Sequence, residues 1–161
     1  MSRYIGKIGG IVALVLVLSL TGLAVSAQKL PAKSVMLGEK IMGRVDAPVT
    51  LTEYASFTCP QCANLHQGAL VMIKKEYIDT GKVRLIYRDF PLDQIAEAAS
   101  MLARCAAPDR YFPMVEMLYR SQRNWSRSAN PAAALAQIGR LAGIGPGLAC
   151  AIAEALSRDS D

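Results

Sequence analysis

Cys59-Pro60-Gln61-Cys62 sets two thiols two residues apart, where a strand-like run gives way to a helix-like one. A cysteine at a helix start lies among backbone N–H groups that lack intrahelical partners, at the positive end of the helix dipole. Its thiolate is stabilised there. The second thiol is close enough to close a disulfide onto the first. A stabilised thiolate favours the reduced form and makes the disulfide oxidising, so the chemistry indicated is thiol–disulfide exchange. Two other uses of the pair compete with it, a structural disulfide and half of a zinc site. Zinc needs four ligands. The chain has one histidine, His66, and its remaining cysteines, Cys105 and Cys150, lie far apart in sequence. No metal is therefore expected.

The elements around the motif read as β-α-β. Val49 to Ala55 is apolar and β-branched, the pattern of a buried strand. A helix is predicted from Cys59 to about Ile78, with a bend at Gly68. Asp79-Thr80-Gly81-Lys82 is a turn, and Val83 to Arg88 a second strand, parallel to the first through a right-handed crossover. Val35-Met36-Leu37-Gly38 is a candidate short first strand. After Pro91 the spacing becomes helical. Ile95, Ala98, Leu102 and Cys105 share one face, and Met114 to Tyr119 suits a short helix. Pro131 to Ala142 begins with Asn130 as N-cap and stops at Gly143. Leu148 to Leu156 is a last helix, and nothing after Arg88 reads as a strand.

Residues 1–27 read as a secretory signal. Arg3 and Lys7 supply the charged end, Ile11 to Leu20 the apolar stretch, and Val25-Ser26-Ala27 the small residues before a cut. The alternative is an uncleaved anchor, for which the apolar run is short. Cleavage leaves 134 of the 161 residues, enough for one domain, with 28–34 as a flexible leader. It also takes two positive charges from a formal +5. The basic residues that remain are scattered, so nucleic acid is not an expected partner. Export and four cysteines point to an oxidising compartment, the periplasm.

The stretch Asp46 to His66, followed by Tyr87-Arg88-Asp89-Phe90-Pro91-Leu92-Asp93, resembles the DsbA family of thioredoxin-fold oxidoreductases, including its alpha-proteobacterial branch. Cys105, Tyr111-Phe112-Pro113, Gln122 with Trp125, and Cys150 continue the likeness, which covers about residues 35–156. The resemblance implies an α/β thioredoxin-like fold over 35–161, with the β-α-β unit in 35–91 and a helical insert in 92–161. It implies a periplasmic thiol:disulfide oxidoreductase without cofactors. Its partners would be substrate proteins with free thiols and a redox recycling partner in the membrane or periplasm. Family members continue with a cis-proline loop, a β-hairpin and a final helix. Those elements have no counterpart before Asp161, so the chain is expected to be truncated at its C-terminus, with reduced activity. Pro146, between two glycines, is no substitute.

Within that resemblance Cys59 is the nucleophile and Cys62 the resolving thiol. Pro60 suits the first helical turn. Gln61 stands where the family most often has histidine; its amide can reach toward the thiolate but carries no charge, which implies a milder oxidant. Glu53, six residues before Cys59, matches the family's buried acid and would tune proton transfer. His66 lies roughly 10 Å along the helix from Cys59, too far for a direct base, and reads as a packed or surface histidine. Trp125 reads as core or groove lining. Cys105 and Cys150 are expected to pair on compartment and count alone, closing a 46-residue loop worth roughly 4 kcal/mol. Other functions remain open: a disulfide reductase or isomerase, a non-catalytic remnant or binding module, and a copper- or haem-assembly thiol carrier. The last is disfavoured because no Met or His flanks the cysteines closely.

Overall fold

The computed structural model describes residues 30–145. The signal segment, Pro146, Cys150 and the predicted helix from Leu148 to Leu156 lie outside those residues, and so does the proposed Cys105–Cys150 bridge. Among the described residues, no helix is long and apolar enough to cross a membrane.

In chain order the elements are α1 (Lys33–Leu37), β1 (Lys40–Met42), β2 (Val49–Ala55), α2 (Pro60–Gln67), α3 (Ala69–Ile73), a π-helical turn (Lys74–Ile78) and β3 (Val83–Asp89). The helical part follows: α4 (Gln94–Arg104), a 3-10 turn (Pro108–Arg110), α5 (Tyr111–Arg120), α6 (Gln122–Ser126) and α7 (Pro131–Leu141). The described strands form a sheet of order β1-β3-β2. β2 runs parallel to β3 and pairs Glu53 with Tyr87, while β1 runs antiparallel to β3. This is the thioredoxin-like α/β arrangement with a helical insertion.

Two expectations need correction. Val35 to Leu37 is helical, and the first strand starts at Lys40, where Lys40 Nζ donates to Val35 O at 2.9 Å and folds α1 back over it. β2 is a strand as expected, but most of it is not buried. Val49, Leu51 and Tyr54 are exposed, and only Ala55 at its end is buried. The apolar, β-branched composition reports strand preference; burial requires a layer on each face, and β2 bonds to β3 on one side only among the described strands.

The long helix breaks at Gly68, whose φ of −124° and ψ of −101° leave the helical region. A Cβ there would stand 3.0 Å from Asn64 O. Gly81 takes the left-handed conformation (φ 77°) in the turn before β3. Asp93 and Asn130 cap α4 and α7, accepting from Ala96 N at 2.7 Å and Ala133 N at 2.9 Å.

The main core joins the sheet end to the helical insertion through Phe57, Tyr87, Leu102, Tyr119, Trp125 and Leu135, all 1% exposed or less. Trp125 is core, and its Nε1 donates to Leu118 O at 2.8 Å. A smaller cluster of Leu70, Ile78 and Leu85 lies under α3.

Candidate active site

β2 ends at Ala55, and four residues later the chain enters α2 with Cys59 as N-cap. Cys59 has extended backbone angles (φ −75°, ψ 118°), and its Sγ accepts from Cys62 N at 3.5 Å. Pro60 occupies the first helical position, where no N–H is needed. Both cysteines are partly exposed thiols.

The two thiols are driven apart. Burial opposes ionisation of Cys59, but the N–H of Cys62, the thiol of Cys62 and the N–H of Gln61 together bring its pKa below the ordinary thiol value. Burial pushes Cys62 up. The main chain of Ser56 resists this, while the Cys59 thiol and the Glu53 carboxylate reinforce it. The pair is therefore asymmetric, an acidic outer sulfur over a weakly acidic inner one. The contribution of Gln61 is made by its main chain. Its side-chain oxygen accepts from Asn64 Nδ2 at 3.4 Å, along the exposed face of α2, so the expected amide contact to the thiolate is absent.

Glu53 is not a solvated edge residue. Its side chain is 10% exposed, and both oxygens meet His66 Nε2, at 3.0 and 3.2 Å. His66 is packed and also paired. Its ring stacks on Tyr119 with centroids 4.2 Å apart and meets the Tyr87 edge at 5.8 Å. The sequence separation of 13 residues hides this contact, which the strand-to-helix turn creates. Tyr87 and Tyr119 share a 2.8 Å hydroxyl–hydroxyl bond, and burial raises the pKa of both well above that of an ordinary phenol. They stay neutral.

The loop before Cys59 is fastened from the helical insertion. Gln122 Nε2 donates to Phe57 O at 2.8 Å and Cys59 O at 2.9 Å. Tyr119 Oη donates to Ser56 O at 3.3 Å, and Thr58 Oγ1 to Asp93 Oδ2 at 2.6 Å. Sequence reading assigned no role to Gln122, Tyr119, Ser56 or Asp93. Only the helical spacing after Pro91 and from Met114 to Tyr119 was visible, and neither reveals a contact across 35 to 63 residues. Cys105 is half-buried at the end of α4, and burial raises its thiol pKa. Among the described residues, no group of three or more His, Cys, Asp or Glu side chains is arranged to hold a metal.

Comparison with known proteins agrees with this geometry. The family model described as Thioredoxin matches residues 36–156. A curated Rickettsia bellii protein, provisionally named a protein-disulfide oxidoreductase, is 33% identical over 109 residues, which is 67% of this chain and 42% of that protein. Disulfide bond formation protein D of Bacillus subtilis is 28% identical over 89 residues, 53% of this chain and 40% of its own length. The chain thus spans about two fifths of the length of these curated relatives. The crystal structure of Wolbachia pipientis alpha-DsbA1 superposes with a TM-score of 0.64 at 29% identity, covering 81% of this chain and 67% of that one. BdbD from Bacillus subtilis, in oxidised form, has a TM-score of 0.63 at 22% identity over 83% of this chain and 72% of its own, a likeness of fold. With a matched model over most of its length, a CxxC motif at the N-terminus of α2 and a helical insertion after β3, the chain belongs to the thioredoxin family and is of the DsbA-like kind.

Proposed function

We propose that the chain exchanges a Cys59–Cys62 disulfide with thiols of substrate proteins. The observation that carries this reading is Cys59 seated as N-cap of α2, its Sγ accepting from Cys62 N at 3.5 Å, an arrangement that lowers its pKa while burial raises that of Cys62. A substrate thiolate attacks Cys59 Sγ, the Cys59–Cys62 bond breaks, and Cys62 leaves as a thiolate that takes up a proton. A second substrate thiolate then attacks the substrate sulfur of the mixed disulfide, and Cys59 leaves as its stabilised thiolate. The substrate gains a disulfide, and the motif keeps the two electrons as a dithiol. A low leaving-group pKa at Cys59 speeds the last step. Glu53 serves as the buried acid near Cys62, with Pro60 and the main chain of Gln61 shaping the helix start.

The reaction belongs in the periplasm, reached by cleavage of residues 1–27. Its substrates are exported proteins with free thiols, and a redox partner in the membrane or periplasm restores the disulfide. Oxidation is preferred over reduction or isomerisation because the geometry lowers the free energy of the reduced motif. Equilibration of the full chain against glutathione tests this together with oxidation of a reduced, unfolded protein. The expected result is a potential above the structural range, with thiols lost from the substrate. A potential below about −300 mV overturns the oxidant assignment.

A further inference from the structure

The inner half of the site contains a pair that the exchange steps alone do not require. Glu53 and His66 lie back to back, their side chains 10% and 4% exposed, joined at 3.0 and 3.2 Å through Nε2. The charge of Glu53 is felt at Cys62. On its other side His66 borders a cavity of about 410 Å³, also lined by Gln67, Lys74, Glu116, Tyr119 and Arg120. Neither cysteine lines that cavity. His66 thus touches both a cavity that mixes apolar side chains with charged ones and a buried carboxylate whose charge reaches the resolving thiol.

Building on the thiol–disulfide reading above, we propose that His66 is a positioning residue that carries the Cys62 proton between this cavity and Glu53. When the Cys59–Cys62 bond breaks, Cys62 leaves as a thiolate. Glu53 hands it a proton, and His66, protonated from the cavity, replaces the proton on Glu53. When Cys62 later attacks a mixed disulfide at Cys59, the proton leaves by the reverse route. One S–S bond forms, one breaks, and the departing thiolate carries the electron pair. A histidine is suited to this because its ring can hold a proton on either of two nitrogens, and Nε2 alone is taken up by Glu53. The groups facing His66 are consistent with that task. Glu53 on β2 holds Nε2. Tyr87 on β3 and Tyr119 on α5 are neutral phenols that fix the ring without competing for the proton. Glu116 and Arg120 on α5 and Lys74 on the π-helical turn line the cavity with both signs of charge. Cys62 lies one turn earlier on the same helix.

The test follows Cys62 alone. A mixed disulfide of Cys59 with glutathione is prepared on the full chain, and its closure to Cys59–Cys62 is timed as glutathione leaves, over a range of pH. His66→Gln keeps a donor for Glu53 but no titrating proton. Closure should slow roughly tenfold or more near neutral pH, and the difference should vanish as pH rises and Cys62 ionises unaided. Equal slowing at every pH, or none, overturns the relay. A second measurement needs no variant. His66 is the sole histidine, so its ring resonances are unambiguous in the wild-type chain. Their titration midpoint should differ between oxidised and reduced protein, and superimposable curves refute the proposal. Closure onto glutathione requires no protein substrate. A chain that fails to oxidise proteins therefore still reports on His66, and an active oxidase with unaltered closure refutes the relay alone.

Discussion

Gln122 holds Cys59 by the backbone. Its amide donates to Cys59 O at 2.9 Å and to Phe57 O at 2.8 Å from 63 and 65 residues away. Gln122 is buried at the start of α6. The nucleophile's position thus depends on the helical insertion as well as on its own helix. Gln122→Ala leaves Phe57 O without its donor and Cys59 O with Ala63 N alone, at a cost of about 1–3 kcal/mol. Urea unfolding should show that loss. Thiolate absorbance against pH should show the Cys59 pKa moving toward the free value as the N-cap loosens. An unchanged Cys59 pKa would confine Gln122 to stability.

The two thiols should also separate when each is observed alone. In Cys62→Ser the remaining thiol should ionise below the free value of about 8.5. In Cys59→Ser the remaining thiol should ionise above it. Cys59→Ser should abolish exchange, whereas Cys62→Ser should accumulate mixed disulfides with substrate, visible on non-reducing gels. A Cys59 pKa at the free value would remove the basis for its activation.

The same asymmetry fixes how the stability of the reduced form depends on pH. The pKa of Cys59 is lowered on folding, so its contribution is complete above the unfolded thiol value of about 8.5 and is lost as pH falls through its folded pKa. The pKa of Cys62 is raised, so its contribution is complete below about 8.5 and is lost as pH rises through its folded pKa. Urea midpoints of reduced Cys62→Ser should therefore climb with pH up to about 8.5, and those of reduced Cys59→Ser should decline beyond it. The opposite slopes would contradict both shifts.

Asp93 serves two elements at once, capping α4 through Oδ1 and receiving Thr58 Oγ1 on Oδ2. Asp93→Ala should cost about 1–2 kcal/mol, the upper part of the N-cap range, and Asp93→Asn should recover most of it because Asn also caps. Thermal or urea unfolding of the two variants distinguishes a cap from a charge effect, since a charge-dominated role would leave Asn as damaging as Ala.

What the sequence disclosed was local. The CxxC motif, the β-α-β order, a bend at Gly68 (though not the full break into separate helices), and the caps at Asn130 and Gly143 follow from residue types a few positions apart, because dihedral preference and dipoles act over that range. Glu53 was visible as an acid on an apolar strand. Its partner was not, since His66 shares no periodicity with it and the two meet only because the chain reverses between β2 and α2. Gln122 and Tyr119 sit on helices whose positions follow from the packed insertion, so no spacing could aim them at Cys59 and Ser56. The exposure of β2 was misread for a related reason: composition specifies a strand's conformation, but its neighbours decide what covers it.

The break at Gly68 divides more than a helix. Ala63 and Cys62 before it pack into the large cluster with Phe57 and Tyr119, whereas Leu70 after it belongs to the small one with Ile78 and Leu85. Along the helical segment the joint between the clusters is one residue with non-helical angles, while β3 spans both through Leu85 and Tyr87. Regions tied to few apolar neighbours open more often than the rest of a fold. Amide exchange should therefore be faster in α3 and the π-helical turn than in α2 and α5. The distal end of the molecule can fray and re-form while both sulfurs stay seated, so brief excursions there leave the redox centre intact.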